Sequence, residues 1–112
     1  MAELGLKENE YTLTFQSRLG YATWLQPYTD EVLKALPKQG IKHIQVICPG
    51  FAVDCLETLE EIAIRGKEQF TEAGGTVFEY IPALNANQAQ LNLLKSILCS
   101  PSLRARAKQS RL

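Results

Sequence analysis

The spacing of apolar and polar positions changes along this chain, and each change of period marks an element. Residues 11–16 (YTLTFQ) alternate with a period of two and are rich in Tyr, Thr and Phe, which predicts a strand. Residues 17–27 (SRLGYATWLQP) lose that period and carry Gly20 and Pro27, the punctuation of a loop or short turn. Helical spacing follows, with Thr29 or Asp30 as the cap and Val32, Leu33 and Leu36 on one face, until Pro37 and Gly40 end it. Residues 41–48 (IKHIQVIC) predict a second strand. Ile41, Ile44, Val46, Ile47 and Cys48 make it apolar on both faces toward its end, the pattern of a buried parallel strand, and Pro49-Gly50 break it. Residues 55–73 predict a long amphipathic helix. Leu56, Leu59, Ile62, Ala63, Gly66 and Phe70 form its buried stripe, and Glu57, Glu60, Glu61, Lys67 and Glu68 form its wet face. Gly74-Gly75 supplies a left-handed stop. Residues 76–81 predict a third strand ended by Pro82, and residues 87–98 a last helix with Leu91, Leu94 and Leu98 in register.

The order β-α-β-α-β-α with short connections implies an α/β fold: an open parallel sheet with flanking helices. Three strands are few for such a sheet, and one edge is expected to want a partner strand that the chain does not supply. Residues 1–10 read as a lead-in and an expected truncation point, residues 11–99 as the α/β domain, and residues 100–112 as a basic, frayed tail.

Composition narrows the function classes. The 112 residues are one domain's worth, and 46% apolar with 21% charged is an ordinary globular mix. No run of about 18 apolar residues exists, so no transmembrane segment is expected. Twelve basic residues balance twelve acidic ones, but four of the basic ones, Arg104, Arg106, Lys108 and Arg111, fall in the tail. Residues 1–103 therefore carry a net charge of −4, which argues against a nucleic-acid partner. Four charges without an apolar face are also not a membrane anchor. The N-terminus MAELGLKENE lacks the apolar core of a signal peptide. Cys48, Cys55 and Cys99 are odd in number and widely spaced, neither a disulfide framework nor a zinc pattern. A reducing, cytoplasmic setting is the expectation.

Ligands of open parallel sheets bind beyond the C-terminal ends of the strands. Residues 17–27, 49–54 and 82–87 fall there, and bring Arg18, Tyr21 and Trp24 toward Asp54-Cys55-Leu56-Glu57. Asp54-x-x-Glu57 has two readings. Asp54 can cap the helix while Glu57 reaches back to the cap; or Glu57 is a general base or metal-facing carboxylate at the mouth of the sheet. Glu57 and Glu61, four apart, share a helical face and can pass protons or a divalent cation, although Arg65 offers Glu61 a plain ion pair. Trp24 is either a core or interface anchor or a ligand platform. His43, the only histidine, lies inside a strand, which suits a structural role. Cys55 has no second cysteine or histidine beside it to make a thiol enzyme. Pro49-Gly50-Phe51 lacks the glycines of a dinucleotide fingerprint, and no P-loop occurs.

Four motifs nonetheless carry a resemblance: Gln16-Ser17-Arg18 with Gly20; Trp24-Leu25-x-Pro27; Pro49-Gly50-Phe51 with Asp54; and Leu56-Glu57-Thr58-Leu59-x-Glu61. Together they resemble the C-terminal part of ferrochelatase, bacterial protoheme type, across residues 9–98. The resemblance implies one Rossmann-like half of a chelatase fold, a lyase of heme biosynthesis, and protoporphyrin IX and ferrous iron as partners. Carried over by position, Glu57 is the catalytic carboxylate, taking pyrrole protons or meeting Fe2+ transiently. Asp54 and Glu61 lead protons or metal along the helix, and Trp24, Phe51 and Ser17 belong to the porphyrin pocket. A further acidic step found in some members is Arg65 here. The family's Ser-x-His-Ser type motif has no counterpart in residues 1–10, and His43 does not align with it. Cys99 stands alone, so no iron–sulfur cluster is expected, and no permanently bound cofactor; Fe2+ is substrate.

Half a cleft leaves Glu57 wet and near its ordinary pKa. The expectation is therefore a chain with little activity alone, completed by a separate N-terminal half. The alternatives are a non-catalytic porphyrin- or heme-binding or assembly module, or a truncated remnant of the enzyme.

Overall fold

The computed structural model describes residues 2–16 and 24–100. Its elements are α1 (Thr29–Ala35), β1 (His43–Ile47), a helical rod α2, β2 (Val77–Ile81) and α3 (Gln88–Leu98). The rod α2 runs without a break through α-helical Leu56–Thr58, π-helical Leu59–Gly66 and α-helical Lys67–Glu72. No helix among the described residues is long and apolar enough to cross a membrane.

α1 begins at Thr29 with Tyr28, not Thr29 or Asp30, in the capping position. The Thr29 side chain is spent elsewhere: it is buried, and its hydroxyl donates to Thr14 Oγ1 at 3.0 Å. Asp30 and Glu31 place negative charge in the first turn, where the helix dipole favours it. A 3-10 turn, Leu36–Gln39, closes the helix, and Gly40 takes φ +89°, open to glycine without strain.

β1 and β2 pair in parallel, with His43 opposite Val77 and Ile47 opposite Ile81. On one face Ile44, Val46, Phe78 and Tyr80 are half-buried. α2 packs on that face through Phe70, fully buried, whose ring centroid lies 6.0 Å from that of Phe78 in a tilted pair. Ile62 and Leu33 complete the buried apolar core among the described residues. α1 crosses α2 at Gly66, where an added Cβ would stand 3.1 Å from Leu33 Cδ1. The chain leaves α2 so tightly that a Cβ on Gly75 would stand 2.1 Å from the Phe70 ring.

Two sequence expectations change. Residues 11–16 form no strand of the sheet. Phe15 makes one parallel bridge, to Tyr28, accepting from Thr29 N–H at 3.0 Å and donating to Pro27 O at 2.9 Å. Its backbone groups are thus taken by the approach to α1, and among the described residues the sheet has two strands. β1 is also not covered on both sides. His43, Gln45 and Ile47 face outward, with Glu79 bonding Gln45 at 2.6 Å and standing 3.7 Å from His43. α3 is capped by Asn87, which accepts from Gln90 N–H, and has no buried residue. Among the described residues, nothing buries the outward-facing positions of the two strands.

Candidate functional site

The site forms where β1 hands over to α2. After Ile47 the chain turns, Phe51 N–H returning to Cys48 O at 3.1 Å. Cys55, extended at φ −143°, is the N-cap of α2. Thr58, fully buried, accepts the Cys55 N–H on its hydroxyl at 3.0 Å. This local lock sets Glu57 in the first turn of α2. The Asp54–Glu57 capping box expected from the sequence is therefore a Cys55–Thr58 arrangement, because Thr58 is the side chain that points back under the turn.

Glu57 and Glu61 open into one groove of about 420 Å³, lined also by Phe15, Gln16, Tyr28 and Arg65. A hydrogen bond from the Cys55 thiol, with one from its own backbone N–H, holds the Glu57 carboxyl below its ordinary range. It does not sit at the ordinary value expected for a wet carboxylate. The ion pair expected between Glu61 and Arg65 is absent: Arg65 reaches Glu60 at 2.6 Å, which leaves Glu61 on the groove side.

Gln16 ties the groove to its surroundings. Its carboxamide donates to Glu57 backbone O at 3.0 Å, and its Oε1 lies 3.7 Å from Cys48 Sγ. Its own backbone O accepts the indole N–H of Trp24 at 3.1 Å. Trp24 is exposed, so it stands beside the groove, one residue removed from Glu57. Burial, with the charge of Asp54 next, pushes the Cys48 thiol up.

Asp54 turns away from the groove. Its Oδ1 accepts from Tyr80 Oη at 2.6 Å, from Thr58 Oγ1 at 3.1 Å and from Ala83 N–H at 3.3 Å, and Oδ2 accepts from Asn85 Nδ2 at 2.8 Å. These donors, Tyr80 first and Asn85 second, hold its carboxyl far below the ordinary 3.8, at about 2. Burial, with the same bond next, pushes the Tyr80 phenol up. Phe51 is half-buried in the turn after β1 and does not line the groove. Ser17, with Arg18 and Tyr21, lies outside the described residues.

The structure thus brings together Glu57 and Glu61, with Trp24 beside them, and places Asp54 and Phe51 elsewhere. Gln16, Thr58, Tyr80 and Asn85 were missed as members of this region. Two had a readable signal. Tyr80 shares the period-two inner face of its strand with Phe78, and Asn85 is a residue type that tolerates left-handed backbone, here φ +52°. Among the described residues, no three His, Cys, Asp or Glu side chains gather as a metal-holding group.

A family model described as Ferrochelatase matches residues 1–101. The chain is 59% identical over 95 residues to the ferrochelatase of Hamiltonella defensa subsp. Acyrthosiphon pisum (strain 5AT), covering 85% of this chain and 30% of that protein. It is 58% identical over 97 residues to the ferrochelatase of Klebsiella pneumoniae (strain 342), covering 87% and 30%. The chain thus spans about 30% of the length of these curated relatives.

Proposed function

The chain belongs to the ferrochelatase family, and we propose that it is the C-terminal part of a chelatase that inserts ferrous iron into protoporphyrin IX, with Glu57 as the proton acceptor. The observation that carries this reading is Glu57 in the first turn of α2, opening into the same groove as Glu61. Metallation must remove two N–H protons from the macrocycle while Fe2+ loses its water. A carboxylate held below its ordinary pKa is ionised at neutral pH and ready to accept. It is also a weak base, until a flat apolar ring lies over the groove and expels water. That desolvation raises its proton affinity at the moment it is needed. Glu61 receives the proton next or meets the metal ion, which Glu57 itself contacts only in transit. The exposed Trp24 indole offers the macrocycle an apolar wall; the family resemblance adds Phe51 and Ser17 to the porphyrin pocket of the assembled enzyme, although Phe51 does not line the groove of this chain.

The chain alone has little activity in this reading. Ile47 and Ile81 on the open sheet face, and Leu91, Leu94 and Ile97 on α3, are exposed. Apolar surface of that kind fits a companion N-terminal half, fused or separate, that closes the cleft and supplies a second proton-handling group. The experiment is co-expression with the segment that precedes the matched region in the relatives, followed by zinc-porphyrin fluorescence and ferrous-iron metallation assays. Activity in the pair that is lost with Glu57→Gln supports the reading. No activity from two folded, associated halves overturns it. A second reading, a porphyrin- or heme-binding module without catalysis, draws on the exposure of Trp24. It gains if porphyrin quenches Trp24 fluorescence in an assembled pair that metallates nothing.

A further inference from the structure

The Asp54 carboxylate accepts from four donors supplied by three separate places: the end of β2, the turn at residues 83–85 and α2 itself. The Asn85 amide works in both directions. It donates to Asp54 Oδ2 at 2.8 Å and accepts the Asp54 N–H on Oδ1 at the same distance, so it grips both the side chain and the backbone of one residue. Asn85 is itself fixed, since its N–H donates to Ala52 O at 3.0 Å and its Nδ2 also reaches Ala83 O at 3.0 Å. Thr58, which Asp54 holds from below, is the residue that receives the Cys55 N–H and closes the first turn of α2. Glu57 lies between the two.

We propose that Asn85 and Tyr80 are positioning residues for Glu57: they clamp Asp54, and Asp54 through Thr58 fixes the turn that aims the Glu57 carboxylate into the groove. Asp54 is on this account a structural anchor, because its carboxylate is already engaged by Tyr80, Asn85, Thr58 and Ala83 and does not line the groove that Glu57 opens into. The link runs through hydrogen bonds that can be removed one at a time. Asn85→Gly keeps the left-handed backbone and deletes the amide. Tyr80→Phe keeps the ring and deletes the hydroxyl.

The clamp is a property of the chain itself, and only its use in catalysis rests on the chelatase reading, so the test has two arms. In the isolated chain, amide hydrogen exchange read residue by residue separates positioning from general loss of stability. Asn85→Gly and Tyr80→Phe are each expected to lower protection of the Thr58 and Leu59 amides by about tenfold, the scale of a hydrogen bond lost to a charged acceptor. The Lys67–Glu72 end of the same rod keeps its protection. Unchanged protection at Thr58 and Leu59, or equal loss along the whole rod, overturns the proposal. In the assembled pair, Asn85→Gly is expected to lower kcat with the porphyrin KM unchanged, and to have no further effect in a Glu57→Gln background, since it acts only through Glu57. Additive losses overturn the link to Glu57. A wild-type pair with no activity defeats the chelatase reading, while the exchange arm still decides the clamp.

Discussion

Gln16 Nε2 donates to the backbone oxygen of Glu57 at 3.0 Å, across 41 positions of sequence. This bond joins the segment that leads to Trp24 with the helix that carries the proposed base. It makes the geometry of the groove a tertiary property, dependent on two stretches meeting.

Gln16→Ala should therefore loosen the groove while leaving each element intact. A neutral, half-buried hydrogen bond of this kind corresponds to a fall in Tm of about 4 °C for a domain of this size. Circular dichroism melting of the isolated chain checks it. An unchanged Tm, with Trp24 fluorescence also unchanged, would mean that the two segments do not depend on this bond.

The glycine at the exit of α2 should tolerate nothing larger. A Cβ on Gly75 would stand 2.1 Å from a Phe70 ring that has no exposed surface to move toward. Gly75→Ala is expected to cost about 3 kcal/mol through overpacking. Gly66→Ala, whose nearest contacts are 3.1 Å and 3.3 Å, is expected to cost less. Urea denaturation of the two variants side by side reads the ranking, and a reversed order would contradict the packing described.

Phe70→Ala removes the largest fully buried side chain among the described residues. Such a deletion costs about 3–5 kcal/mol, a large part of the stability of any small domain. Because Leu33 and Ile62 are the other two residues of the buried hydrophobic core among those described, the variant should lose its dispersed amide NMR spectrum at 25 °C. Retained dispersion would show that the open faces hold the chain together better than its core does.

Acid should act through Asp54. Its carboxyl is depressed from 3.8 to about 2 by hydrogen bonds that exist only in the folded chain. A depressed acid contributes stability that is fully present above its ordinary value and is lost as pH falls through the folded value. Denaturation midpoints should thus hold steady from neutral pH down to about 4 and fall between about 4 and about 2. Glu57, also depressed, acts in the same direction. In Asp54→Asn that acid limb should shrink. At the other extreme, Cys48 and Tyr80 are raised above 9.0 and 10.0. Neutral groups of this kind lend stability below their ordinary values, and it is lost as pH rises through the folded ones. A profile that is flat through both limits would refute the hydrogen-bond assignments.

Much of this protein follows from the order of its side chains. The spacing of Ile62, Gly66 and Phe70 marks a helix, and Gly74-Gly75 stops it, although the rod winds as a π-helix over Leu59–Gly66 and leaves Leu56 and Leu59 of the expected stripe exposed. The apolar runs in residues 41–48 and 76–81, stopped by prolines, mark two strands, and their separation by a helix makes them parallel, whereas their alternating burial emerges only in the structure. The motif around Glu57 and Glu61 marked the family and the candidate carboxylates. All of these are local patterns, whose physical cause lies within a few residues. Three outcomes were decided only in three dimensions. Residues 11–16 had strand composition, but a strand also needs a neighbour, and Phe15 spent its backbone groups on Pro27 and Thr29. Arg65 had two glutamates within reach and settled on Glu60. Asp54 had the spacing of a cap, but Tyr80 and Asn85, 26 and 31 residues further on, offered its carboxylate stronger partners. Sequence spacing assigns a side chain to a face of its element. Which acceptor meets which donor depends on how separate elements pack, and no single stretch of the chain encodes that.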